Sequence, residues 1–393
     1  MSLGWALRGF IGGGPLGAMI PGAMIGLVLC RLLGREHDAG LIAAFAAVGI
    51  GFGGEETYGQ TVGLSFLPET YWWALLGFAI KGGAWGLLGG AMIGTAFTRE
   101  RYSKWVVPSG LGLLVAGTWL GWKLVNQPKL IYFSNRLDRP RAEVWAGLIA
   151  GGVLYLLWLT WRGGARMPWR FALWGASGGA VGFASGAAIQ VWGRPIVPVF
   201  PLGWWKVMEL TFGALLGLAF GWCAWRYRDE LKKPGPPAAP PSLACSLYTA
   251  ATAIAFGLWL EPAFHTRFNY VIVGAILLAL ALRSRTLCWQ IAVTLTVCGF
   301  AYDLLEGRPK LPQAPLWIFV VGITLATIIL TARVPRIVPI FLWLTWTAVA
   351  TSLLKSFVPL VSSEPVMMES LFVILALAVT WWCWRSPDSA RVS

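Results

Sequence analysis

The chain is a succession of apolar runs, and their length is the constraint that decides what it can fold into. A helix needs about 20 apolar residues to cross the hydrocarbon core of a bilayer. Thirteen stretches qualify or nearly qualify: 5–30, 39–54, 72–97, 105–124, 143–161, 171–190, 205–225, 244–260, 268–282, 286–302, 316–332, 337–354 and 367–384. The runs at 39–54 and 268–282 are short, which predicts tilted, broken or partly re-entrant helices there. The runs do not alternate between polar and apolar residues, which removes a β-barrel. Helices are then the only way to satisfy backbone groups in lipid. Only 12% of the 393 residues are charged and 57% are hydrophobic, against roughly a quarter charged in soluble domains. The sequence therefore predicts an all-α, polytopic integral membrane protein with about 13 transmembrane helices.

Charge placement gives an orientation. With residues 31–38 cytoplasmic, the cytoplasmic segments hold eighteen Lys/Arg against six Asp/Glu, and the outer loops hold eleven of each. This follows the positive-inside rule and predicts an outer N-terminus, a cytoplasmic C-terminus and a bacterial-type plasma (inner) membrane. No basic segment precedes the first run, so that run reads as an anchor rather than a cleaved signal. The net charge of +14 finds its partner in anionic lipids on the cytoplasmic face, with no need for nucleic acid. A membrane-protein partner or a second copy of the chain is the other expected partner class. Two His and six scattered Cys give no metal-ligand spacing, and no phosphate-binding or dinucleotide loop is present, so no metal and no cofactor is expected.

A Pro-rich linker at 227–243 divides a seven-span half, 1–226, from a six-span half, 244–393. Of 48 glycines, 42 precede residue 229, which predicts close helix packing in the first half. Self-comparison finds gapped repeats. Gly51-Phe52 recurs as Gly182-Phe183 and Gly299-Phe300, each ending an outward run. Gly193-Arg194-Pro195 recurs as Gly307-Arg308-Pro309, and Met208-Glu209-x-x-Phe212 as Met368-Glu369-x-x-Phe372. These matches predict parallel hairpin repeats: outward helix, outer loop, inward helix.

Aligned on Gly-Phe, the repeats place Glu55, Gly186 and Asp303 at one equivalent position. The run 53–61, containing Glu55, Glu56, Tyr58 and Gln60, is the most polar span terminus. Lys81 lies deep in the next apolar run, where an ammonium needs an acid or a water-filled cavity. Its counterpart in the second hairpin is Gly213, and there Glu55 and Glu56 are replaced by Gly186 and Ala187. The opposite charges come and go together, which predicts that Lys81 meets Glu55 or Glu56. Glu209, Glu369 and, more loosely, Glu143 sit at starts of returning runs, where a carboxylate favours the positive end of the helix dipole; Glu209 is also a second-rank substrate-binding candidate. Arg136, Arg139 and Arg141 in the basic outer loop 123–143, with Arg194 and Arg308, are candidate anion-binding residues, although Arg-Pro also fits a simple extended turn.

Three classes of function remain open on these residues. The first is a transporter or permease-like protein with an outward polar site built from Glu55/Glu56, Lys81 and Asp303. The second is a membrane-embedded enzyme acting on a lipid-linked substrate at the outer leaflet. The third is a structural subunit of a membrane complex.

Overall fold

The computed structural model describes residues 1–135, 140–200, 202–307, 313–357 and 367–385, and their regular structure is entirely helical. The first half contains α1 (Ser2–Ile11), α2 (Gly14–Leu33), α3 (Ala39–Gly53), α4 (Gly59–Ser65), α5 (Tyr71–Phe97), α6 (Val106–Gly121), α7 (Trp145–Gly163), α8 (Arg166–Ile196) and α9 (Trp204–Arg226). A short turn, α10 (Arg228–Leu231), opens the linker. The second half contains α11 (Leu243–Ile254), α12 (Glu261–Ala263), α13 (Asn269–Ala281), α14 (Arg285–Trp289), α15 (Thr296–Gly307), α16 (Gln313–Arg333), α17 (Ile337–Phe357) and α18 (Met367–Arg385). Three π-helical segments, Trp122–Asn126, Ala255–Leu260 and Gln290–Leu295, extend α6, join α11 to α12 and join α14 to α15. Among the described residues nine helices are long and apolar enough to cross a membrane, and α3 and α13 are shorter apolar helices.

The first apolar run is not one span. It breaks at Gly12–Gly13 into the ten-residue α1 and the twenty-residue α2. Gly14 enters α2 at φ +64°, a left-handed conformation open to glycine without steric cost. The two helices fold back on each other: Gly4 packs on Pro21 and Met24, while Gly17 meets the Gly12 carbonyl. A second expectation is also corrected. Gly193-Arg194-Pro195 does not form a loop turn, because α8 continues through it to Ile196.

Helix α3 is the hub. Every one of its residues except Leu41 is buried, between α2 and α5 on one side and α13 and α14 of the second half on the other. Around it the first half is built from successive neighbours, α2 on α3, α3 on α5, α5 on α8, α8 on α9, with α1 against α9. The α5–α8 contact is the closest, and glycine spacing explains it. A Cβ added at Gly82, Gly86, Gly90 or Gly94 would lie 2.2, 1.8, 2.1 or 2.5 Å from the backbone of Gly179, Gly175, Phe171 or Pro168. Four glycines at four-residue intervals fall on one helical face and let the two backbones touch.

Gly86→Ala should lower unfolding stability by about 1–3 kcal/mol, the usual cost of overpacking. Gly112→Ala, on α6 with nothing within 4 Å of its added Cβ, should be neutral or slightly stabilising. Thermal unfolding of the detergent-solubilised protein compares the two; equal melting temperatures would refute the close-contact account.

Candidate functional site

The polar run after α3 is a knot at which six other segments meet. At Gly54 the chain turns against the backbone of Gly14 and Pro15, with room for no side chain. Residues 54–70 then carry the short α4 before α5 begins. Glu55 Oε1 accepts from the backbone N–H of Tyr270 at 2.6 Å, in the first turn of α13. Glu56 Oε2 accepts from Val144 N at 2.9 Å. Gln60 Oε1 accepts from Arg141 N at 3.2 Å. Glu56, Thr57 and Thr61 face Lys81, and Tyr58 faces α1 and α9.

Lys81 lies ten residues into α5, about 15 Å from its start at 1.5 Å per residue, and its side chain has no exposed surface. Its Nζ donates to Thr57 O at 2.6 Å, Thr61 Oγ at 2.9 Å and Glu143 Oε1 at 2.9 Å. That exhausts the three N–H groups of an ammonium. Glu56 Oε1 lies 3.2 Å away as a charge contact without a hydrogen bond. Glu143 also accepts from Phe133 N, Ser134 Oγ and Trp145 Nε1. Two buried carboxylates thus share one ammonium, and the surplus negative charge is offset by donors from residues 133–145. Of the two acids anticipated, Glu56 meets Lys81 and Glu55 does not. Glu143, anticipated only as a helix cap, is a direct partner.

Beside this triad, Tyr58 joins two further charges. Its hydroxyl accepts from Arg8 Nη1 at 3.1 Å and donates to Glu209 Oε1 at 3.2 Å. Glu209 also accepts from Trp205 Nε1 at 2.9 Å and from Lys206 Nζ at 2.7 Å. Lys206 donates in addition to Ala6 O. Glu209 is no dipole cap, because α9 starts five residues earlier and its first turn carries no acid. Gly9 on α1 leaves the space its carboxylate occupies. Arg8 is 4% exposed and pairs with no carboxylate among the described residues; its Nη2 donates to Gly14 O at 3.5 Å, and it lies over the rings of Trp5, Tyr58 and Trp85 at 5.2–5.8 Å. Arg8 Nε, Trp5 Nε1 and Trp85 Nε1 are buried donors with no acceptor among the described residues. Two cations and one carboxylate leave this cluster with an excess positive charge.

A cavity of about 350 Å³ opens next to it, lined by Gln190, Arg194, Phe200, Trp204 and Trp205. Trp205 is the partition. It borders the cavity, donates to Glu209 and stacks on Tyr58 with ring centroids 5.5 Å apart. Arg194 lies over the Phe66 ring at 5.0 Å and has no acid partner among the described residues.

Glu56 and Lys81 in one cluster and Tyr58 and Glu209 in the other are thus joined through the backbone of residues 56–61, with Glu55 and Gln60 on the rim. Asp303 stands apart and pairs with Lys355 at 2.9 Å, whose ammonium lies over Phe10 of α1. Arg136, Arg139 and Arg308 lie outside the described residues; Arg141 meets the rim through its backbone. Sequence reasoning missed Arg8, Trp205 and Lys206 as site residues. The signals were there: Arg8 is a charge inside an apolar run, and Lys206 stands three residues before Glu209 on the same helical face. No known protein family, curated protein or solved structure matches the chain.

Removing one member of a buried ion pair strands the other, which typically costs about 3–5 kcal/mol. Lys81→Met should show that loss as a fall in melting temperature. Lys81→Met/Glu56→Gln/Glu143→Gln, which removes all three charges, should recover much of it. If the triple variant melts no higher than the single one, charge compensation is not what Lys81 supplies.

Proposed function

We propose that the chain is a permease-like multi-pass membrane protein whose substrate site accepts a small anion at the Arg8–Tyr58–Glu209–Lys206 cluster. One observation carries this reading: the polar residues form a file from the 350 Å³ cavity, past Trp205, to a positively charged cluster with unpartnered donors. Such a cluster is expensive to bury unless something fills its hydrogen-bonding capacity. An anion entering at Arg194 would meet Trp205 first, then Lys206 and Arg8. The Lys81 triad would act beneath it as a strut, holding residues 56–61 where Tyr58 can bridge the charges. The short α1, folded against α2 and packed on α9, supports the reading, since broken helices line substrate sites in many transporters.

In this reading thirteen segments cross the bilayer: α2, α3, α5 to α9, α11 with α12, α13, α14 with α15, α16, α17 and α18. The Lys/Arg-rich turns face the cytoplasm and anionic lipid of a plasma membrane, α18 ends there, and the cavity faces outward. Because α1 is half-length, the first full crossing is α2 rather than residues 5–30. The matched Glu209 and Glu369 are remnants of one hairpin plan used in both halves.

Tyr58→Cys and, as a smaller change at the same place, Ala6→Cys test this in a Cys245→Ser background, where the other five cysteines are buried. In proteoliposomes of known orientation, an impermeant thiol reagent should modify either cysteine from the cavity side and, more slowly, from the opposite side. Modification from the cavity side alone would favour the enzyme reading on a lipid-linked substrate. Modification from neither side would remove both and leave a structural subunit.

A further inference from the structure

At the other end of the bundle, four chain segments meet around a second cavity of about 320 Å³. The α2–α3 turn supplies Arg35 and His37, the end of α5 is followed by Arg99, the α13–α14 turn supplies Arg283 and Arg285, and the linker contributes Ala238. These segments come from both halves of the chain and from the connector between them. The volume is at the lower end of small-ligand sites.

The charges around it do not balance. Two acids line the cavity, Asp38 and Glu100, and both are engaged. Asp38 accepts from Arg35 at 2.6 Å, and Glu100 is held by Lys233 of the linker. Arg35 also donates to Leu231 O and Arg99 to Tyr102 O. Arg283 rests on the Trp105 ring, while Arg285 and His37 have no hydrogen-bond or ion-pair partner among the described residues. The cavity thus presents three guanidinium groups with no acid of their own among the described residues, and an imidazole. The first turn of α3 adds to this: Gly40 and Leu41 line the cavity, and Asp38 spends its side chain on Arg35 instead of capping the helix. Uncapped first-turn N–H groups favour an anion. Trp289, packed against Gly40, contributes an apolar wall.

We propose that this cavity binds a phosphate group, held by Arg99, Arg283 and Arg285, and that binding ties the two halves and the linker together. Guanidinium forks match phosphate oxygens two at a time, and a dianion matches the unbalanced charge better than a carboxylate. Asp38 and Glu100 face the same space, so the fit depends on Arg35 and Lys233 keeping them neutralised. The phosphate could be carried by a soluble compound or by a phospholipid headgroup, and the chemistry is shared. The site is separate from the proposed anion cluster near Tyr58, and its test is independent of that reading.

The full-length protein in neutral detergent is heated with inorganic phosphate, or with chloride at matched ionic strength. In parallel, native mass spectrometry counts phosphatidylglycerol retained from mixed micelles. Arg283→Gln/Arg285→Gln is compared with Arg333→Gln/Arg336→Gln, which removes two arginines outside the cavity. A phosphate-specific rise in melting temperature of about 2–4 °C, lost in the cavity variant and kept in the control, supports a soluble source. No such rise, but one bound phospholipid lost only in the cavity variant, supports a headgroup. If phosphate acts no differently from chloride and the two variants retain lipid alike, the proposal is overturned. Equal losses in the cavity and control variants would overturn it too, as an effect of overall charge.

Discussion

The ammonium of Lys81, closed between two carboxylates with no exposed surface, is the contact on which the arrangement of the first half depends. A charge in that position is tolerated only when its partners are fixed in place. Fixing them ties together α5, the polar turn after α3 and residues 133–145. The same turn, once fixed, carries Tyr58 to Arg8 and Glu209 and Glu55 to the start of α13. One buried charge thus holds in place the turn through which these segments meet, alongside separate helix-to-helix contacts such as Tyr155 to Thr95 between α7 and α5.

Much of this was legible in the residues, and the limits are instructive. The depth of Lys81 followed from its distance into an apolar run, and its need for an acid followed from that depth. The identity of the second acid did not. Glu143 is 62 residues away, at the end of a loop whose path no helical periodicity reveals. Arg8 was visible as a charge inside an apolar run, but its neighbours depend on the break at Gly12–Gly13. Hydropathy hides that break, because glycine interrupts the helix without interrupting the apolar pattern.

The Asp303 expectation misplaced a residue for a different reason. Repeat alignment identifies positions with the same role in separate copies; it does not bring the copies to the same point in space. Glu55 caps α13, whereas Asp303 pairs with Lys355 on α17. Both are carboxylates satisfied near helix ends. Glu209 and Glu369 differ in the same way: Glu209 gathers Tyr58, Trp205 and Lys206, while Glu369 lies in the first turn of α18 and accepts from Ser356.

The distribution of glycine and charge also restricts where the molecule can move. Along α5 and α8 the backbones touch at four successive turns, and interfaces packed that closely shift as a unit rather than deform. If the site at Tyr58 opens as the proposed permease function requires, the movement has to come from what surrounds this pair. The α1 helix meets α9 through Gly9, Gly213 and Gly217, and its polar ties to that helix are Ser2 to Leu210 O and Lys206 to Ala6 O. It is ten residues long and hinged at Gly12–Gly14. A displacement of α1 would release Arg8 from Tyr58 and uncover Glu209 without disturbing the Lys81 triad. Under the proposed permease function the strut and the movable part are then different elements, so that a buried charge can stay put beside a site that the proposal requires to open.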